Sequence, residues 1–214
     1  NQTTNLSGQS DSANWTLEIE GGTYIWACLV SDDEGNLDWS ANRTILQDSA
    51  APSITVDSPS NNTFTGDTAL DVTYTVTDNN LDSCWYSNDS MSENITQANC
   101  ADITDIIWSA GEHNVTIWAN DTQNNIGSSD VTFTIDLTAP VFSVIANQTV
   151  EYASAFAYDL NATDAVGVEC FSVNDTTNFV MNCSGYLENN TLLSLQLYDL
   201  NVTINDSSGN ENSQ

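Results

Sequence analysis

Trp118-Ala119-Asn120-Asp121-Thr122-Gln123-Asn124-Asn125-Ile126-Gly127 decides how the chain is read, because its pattern occurs three times. The first copy is Val30-Ser31-Asp32-Asp33-Glu34-Gly35-Asn36 and the third is Ile204-Asn205-Asp206-Ser207-Ser208-Gly209-Asn210. In each, Ser or Asn precedes an Asp, two variable positions follow, and Gly or Asn then stands before a further Asn. An Asp side chain accepts a hydrogen bond from the backbone two residues on, and Gly and Asn tolerate positive φ. Each copy therefore predicts a tight hairpin corner at the end of a strand. Asp32 and Asp121 lie 89 residues apart and Asp121 and Asp206 lie 85 apart, a spacing that suits one small all-β domain per corner.

Outward from the corners, Asp48-Ser49-Ala50-Ala51-Pro52 recurs 88 residues later as Asp136-Leu137-Thr138-Ala139-Pro140. Proline fixes φ and cannot donate to a ladder, so it suits the start of an edge strand where one domain hands over to the next. These joints divide the chain into residues 1–49, the C-terminal half of a domain; 50–137, a complete domain; and 138–214, a domain expected to lack its last strand. Within the middle domain Leu70, Val72, Tyr74 and Val76 alternate with polar residues, as a half-buried strand does. Thr77-Asp78, five residues and Cys84-Trp85 follow. The third domain repeats this as Thr163-Asp164, five residues and Cys170-Phe171.

That equivalence organises the cysteines. Cys84 and Cys170 occupy matching positions, and each is followed by one more cysteine in its own domain, which predicts the pairs Cys84–Cys100 and Cys170–Cys183. Cys28 has no nearby partner and is expected to pair outside the segment. Disulfides imply an oxidising compartment. Sequons agree: there are sixteen, at Asn1, Asn5, Asn14, Asn42, Asn61, Asn88, Asn94, Asn114, Asn120, Asn147, Asn161, Asn174, Asn182, Asn189, Asn201 and Asn205. Chance pairing of the chain's Asn with its Ser and Thr would give about six, so a surface made for N-linked glycans is expected. Part of the excess reflects Thr-rich strands and Asn-rich turns.

Thirty acidic residues face a single basic one, Arg43, for a net charge of −29. Such a field repels phosphate backbones, which excludes nucleic acid as a partner, and it is pushed away from anionic membranes. No apolar run is long enough to span a bilayer, so direct membrane insertion of this segment is not expected. Without a leader at residue 1, the chain reads as an interior portion of a longer secreted polypeptide.

Catalysis finds little support. His113 is the only histidine. It stands eight residues before Asp121, where Tyr24 stands eight before Asp32 and Tyr198 eight before Asp206, so the slot calls for an amphipathic ring that packs. No lysine, phosphate loop or HExxH is present. The expectation is a protein that is not an enzyme and requires no cofactor. Calcium is the one candidate ion, with Asp32, Asp33 and Glu34 as one set of oxygen donors and Asp78, Asp82 and Asp121 as another. The alternative is that each corner Asp simply satisfies its own turn.

The D-x-x-A-P joints, the N-D-x-x-G-N corners and the T-D-x5-C-aromatic segments together resemble tandem immunoglobulin-like or cadherin-like repeats of large prokaryotic surface proteins, especially archaeal cell-surface glycoproteins. The resemblance implies Greek-key β-sandwiches arranged as beads on a string. It departs from the usual pattern at Asn124, where the corner glycine is replaced. Such repeats serve as stalks, filaments and surface layers, with copies of themselves or other surface proteins as partners. They also serve as adhesins, for which exposed aromatics such as Trp39 would make contact, and as accessory domains of secreted enzymes.

Overall fold

The computed structural model describes residues 4, 12, 14–89 and 94–214. The described residues form strands, turns and irregular segments, with one short 3-10 turn at Ala98–Cys100. The chain is all-β, as the repeated corners and alternating segments require.

The first segment holds β1 (Gly22–Trp26), β2 (Leu29–Ser31), β3 (Leu37–Trp39) and β4 (Arg43–Gln47). β1 pairs with β4 and β2 with β3, both antiparallel, so a single interrupted hairpin folds about the Asp32 corner. Ile25, Leu29, Val30, Leu37, Trp39 and Leu46 are exposed on it. A hairpin offers no second layer against which to bury them.

The middle domain contains β5 (Ser53–Ser58), β6 (Thr63–Thr65), β7 (Thr73–Thr77), β8 (Leu81–Asn88), β9 (Ile95–Gln97), β10 (Gly111–Asp121) and β11 (Ile126–Ile135). Five of these form a sheet in the order β6-β11-β10-β8-β9, antiparallel except where β6 runs parallel to β11. β5 and β7 pair separately, and a bridge joins Val72 to Ile103. The period-two pattern of β10 explains the packing: His113, Val115, Ile117, Ala119 and Asp121 are all buried while the residues between them are not. Val115 and Ile117 meet Val72, Tyr74, Tyr86, Ile103, Trp108, Val131, Phe133 and Ile135 in one core. Burying an aliphatic side chain of this size contributes roughly 1.5–3 kcal/mol.

The third domain follows with β12 (Val141–Phe142), β13 (Ala157–Asp159), β14 (Ala162–Thr163), β15 (Val168–Val173), β16 (Phe179–Met181), β17 (Tyr186–Asn189), β18 (Val202–Asp206) and β19 (Glu211–Ser213). The order β13-β17-β16 forms one sheet and β15-β18-β19 another, around a core of Leu160, Phe171, Val173, Phe179, Leu187, Val202 and Ile204. β19 continues the hairpin from the Asp206 corner as β11 does from Asp121. In the middle domain Phe133 of β11 closes the core, edge-on to Trp108 with ring centroids 5.0 Å apart. In the third domain Leu193, Tyr198, Leu200 and Val202 border an open cavity of about 600 Å³.

The aromatic slot repeats in its reach, with a backbone atom four residues upstream as the partner in each copy. Tyr24 donates its hydroxyl to the Glu20 carbonyl at 2.8 Å. The Nε2 of His113 meets the Ser109 carbonyl at 2.8 Å. The Tyr198 hydroxyl accepts from the Ser194 N–H at 2.9 Å. The ring thus ties the loop entering the strand to the strand itself.

Candidate metal centres at the domain joints

The three corners are built alike. Asp32, Asp121 and Asp206 each receive, on Oδ1, the backbone N–H of the Asn four residues on, at 2.8, 2.8 and 2.9 Å. The Nδ2 of the same Asn donates to Oδ2 at 2.7, 2.7 and 2.9 Å. The residue before that Asn is left-handed in all three, with φ of 84° at Gly35, 64° at Asn124 and 87° at Gly209. Asparagine is the side chain that occupies this region at least cost, which explains the replacement at 124. At Asp32 the Asn36 donors hold the carboxyl below its ordinary pKa. Burial pushes Asp121 up, but the donors from Asn125 and Gln123 outweigh it and the net direction is down. Both shifts favour the ionised carboxylate.

The second and third corners do more than close a hairpin. Asp121 comes together with Asp48 and Asp78, and Asp206 with Asp136 and Asp164, each residue offering an oxygen within 4.8 Å of the others. The two groups are the same site in successive repeats, formed by a connector Asp, the Asp of Thr-Asp and the corner Asp. Asp121, Asp136 and Asp206 are buried. The connector backbone is drawn in as well: the Asn125 amide donates to the Asp48 carbonyl at 3.2 Å, and the Asn210 amide to the Asp136 carbonyl at 2.9 Å.

The residues present fit a hard divalent cation. The donors are all oxygen, three carboxylates converge without a cationic side chain to balance them, and Asp136 Oδ2 is buried with no hydrogen-bond partner among the described residues. Buried like charges at this separation oppose one another, and calcium, which takes oxygen ligands, relieves that opposition. Zinc, which prefers nitrogen and sulfur, finds neither here.

The other sequence-derived candidates are placed as follows. Asp32, Asp33 and Glu34 do not join a carboxylate group among the described residues. Asp82 is exposed and accepts from the Asn120 amide at 3.2 Å instead of joining Asp78 and Asp121; Asp48 takes that place. Asp48, Asp136, Asp164 and Asp206 are donors that the sequence reading does not name, although a corner that could receive a connecting Asp is what it expects. Their signal was present in the repeat of the connector, the Thr-Asp pair and the corner, once the three are superposed.

Cys84 is joined to Cys100, linking β8 to the turn after β9, and Cys170 to Cys183, linking β15 to the segment after β16. Cys28 is a free thiol in the described structure. Among the sequons, Asn1 and Asn5 lie outside the described residues. Asn14, Asn42, Asn61, Asn94, Asn147, Asn161, Asn174, Asn182 and Asn201 are exposed, whereas Asn88, Asn114, Asn120, Asn189 and Asn205 are half-buried. The Nδ2 of Asn120 donates to Asp82 and to the Asp121 carbonyl, and that of Asn205 to Glu169 and the Asp206 carbonyl. Those two amides serve the corners. His113 is buried between Trp108 and Phe133, with its ring nitrogens on Asp89 and the Ser109 carbonyl.

Sheets, corners and joints together define a class: tandem β-sandwich domains with carboxylate groups where one domain follows another. No family model and no curated protein matches the sequence. Among solved structures the chain is similar to fibronectin(III)-like modules of Clostridium thermocellum CbhA, at 16% identity over 76% of this chain and 90% of that one, with a TM-score of 0.48. It is also similar to Drosophila N-cadherin EC1-4, at 14% identity over 90% of this chain and 56% of that one, with a TM-score of 0.34. A third is the Bacteroides ovatus mixed-linkage glucan utilization locus protein SGBP-B, solved with a mixed-linkage heptasaccharide, at 17% identity over 77% of this chain and 46% of that one, with a TM-score of 0.33. At these identities and scores the likeness says nothing of function.

Proposed function

We propose that this chain is a run of structural repeats of an extracellular surface glycoprotein, building a stalk, filament or surface layer with calcium at its joints and N-linked glycans on its exposed sequons. The observation that carries this reading is the second joint, where the connector is held from both sides. The Asp136 N–H donates to Thr65 of the middle domain at 3.0 Å, while its carbonyl accepts from Asn210 of the third. The Gly66 N–H reaches directly across to the Ser208 carbonyl at 3.0 Å. Domains in one chain move relative to one another by default; a connector bonded on both flanks sets an angle instead. The two disulfides support an oxidising compartment. No helix among the described residues is long and apolar enough to cross a membrane. The chain carries no catalytic role in this reading, since its one imidazole is buried in packing. Its partners are further copies or other surface proteins.

Small-angle scattering of the whole chain in calcium and in EDTA tests the proposal. An elongated particle that loosens when calcium is removed supports it. A compact particle, or a broad spread of shapes in calcium, sinks it. A second reading is adhesion to carbohydrate or protein, with Trp39 on β3 as the contact. Binding to a glycan array that is lost in Trp39→Ala would replace the structural role with the adhesive one.

A further inference from the structure

The hydrogen bonds to the carboxylates of the two groups match except at one. The connector Asp takes a backbone N–H on Oδ1 in both, from Ala50 to Asp48 and from Thr138 to Asp136, each at 3.0 Å. The Asp of the Thr-Asp pair likewise accepts from the residue two further on, from Asn80 to Asp78 at 2.7 Å and from Val166 to Asp164 at 2.8 Å. Asn80 and Val166 are therefore equivalent positions, and their side chains differ in kind. Asn80 Nδ2 donates to Asp48 Oδ2 at 2.8 Å. Valine has nothing to donate, and the corresponding oxygen, Asp136 Oδ2, is the buried carboxylate oxygen with no partner among the described residues. Asp136 is 7% exposed.

We infer that the second joint, Asp136 with Asp164 and Asp206, is the tighter calcium site, and that the residue at position 80 or 166 sets the difference between the joints. This rests on the reading of the carboxylate groups as cation sites. In the first joint the Asn80 amide already directs the positive end of its dipole at Asp48 Oδ2. A cation must there compete with a made hydrogen bond, and it gains less from the oxygen it wins. In the second, the oxygen is desolvated and unsatisfied, a state that costs free energy until a positive charge meets it. Calcium supplies that charge and accepts further oxygens from backbone carbonyls or water without demanding rigid geometry. A joint with its own amide keeps its shape in low calcium, while one with valine depends on the ion.

Calcium titration by calorimetry on the whole, oxidised, EDTA-stripped chain at neutral pH tests this. The expected result is one tight site and one weaker one. Val166→Asn should weaken the tight site about tenfold, the size of one charge-assisted hydrogen bond, and Asn80→Val should strengthen the weaker site by a similar factor. Thermal unfolding in EDTA shows that both variants fold, Val166→Asn melting at or above the parent, so that lost binding is not lost structure. Two sites of equal affinity, indifferent to both substitutions, would overturn the inference and leave the cation reading standing. No binding heat and no calcium-dependent shift in melting would overturn both.

Discussion

The single histidine carries a charge that the fold asks for, and replacing its partner should make stability respond to pH in a particular direction. Nδ1 of His113 lies 2.8 Å from Asp89 Oδ2 and Nε2 lies 2.8 Å from the Ser109 carbonyl. Both partners accept, so both nitrogens must donate, and imidazolium is the form that satisfies the site. Burial against the aromatic core favours the neutral ring, but the Ser109 carbonyl and the Asp89 carboxylate outweigh it and hold the pKa above the ordinary 6.5. A pKa raised by folding stabilises fully below the unfolded value, and the contribution is lost as pH rises through the folded one. In Asp89→Asn the amide can donate to Nδ1 of a neutral ring whose Nε2 still donates to Ser109, and Oδ1 can keep its bond to the Asn114 N–H. A hydrogen bond between charged groups contributes about 1.5–3 kcal/mol, and because Asp89 is 47% exposed, solvent reduces this to about 1 kcal/mol. Urea unfolding of parent and variant, disulfides intact, should show the variant less stable by about that amount at pH 5.5 and nearly equal at pH 8.5 (both values chosen to flank the ordinary histidine range of about 6.5). Taking the difference between the two proteins cancels the titration of the remaining carboxylates. An equal loss at both pH values, or a larger loss at the higher one, would refute the assignment of an imidazolium–carboxylate pair.

Three further expectations follow from geometry already described. Replacing Cys84 and Cys100 together by Ala should destabilise the middle domain by about 3 kcal/mol on the chain-entropy account of a loop this size, read as a lower melting temperature; an unchanged melt would mean that the strands alone hold the loop. Gly127→Ala should cost about 1–3 kcal/mol, because its Cβ would lie 1.9 Å from the Pro52 carbonyl oxygen and must push β11 away from the entering strand β5; a neutral substitution would show the contact to be looser. In material from the native host, peptide mapping should find glycan on exposed sequons such as Asn42 and Asn161 but none on Asn120 and Asn205, whose amides are committed to the corners. Occupancy at those two would contradict the role given to them.

Corners were legible in the sequence because their chemistry is local. An Asp, a residue tolerant of positive φ and an Asn within five positions specify the whole turn, and Asp32, Asp121 and Asp206 all form it. The alternation of β10 was legible for the same reason, since period two is all a strand needs to place Val115 and Ile117 inward. What the sequence hid were partnerships between distant segments. Asp82 is near Asp78 in sequence, but it extends from an exposed position of β8 toward Asn120, while Asp48 arrives from the connector. Asp48 and Asp136 read as punctuation between domains, and nothing local marks them as oxygen donors. Asp89 lies 24 residues from His113, and only the pairing of β8 with β10 brings them together. The contrast of Asn80 with Val166 becomes meaningful only after the oxygen each one faces is known.

A connector bonded on both flanks also decides how the chain carries tension. β11 runs straight into Asp136, whose N–H is fastened to one domain and whose carbonyl is fastened to the next, so there is no slack to draw out first. Pulled from its ends, such a polymer should lengthen in abrupt steps as whole sandwiches give way, and not by gradual straightening. Each disulfide then withholds length from its step: the bond from Cys84 to Cys100 spans 16 positions, or roughly 55 Å of extended backbone, so an oxidised string is shorter at rupture and rejoins sooner when released.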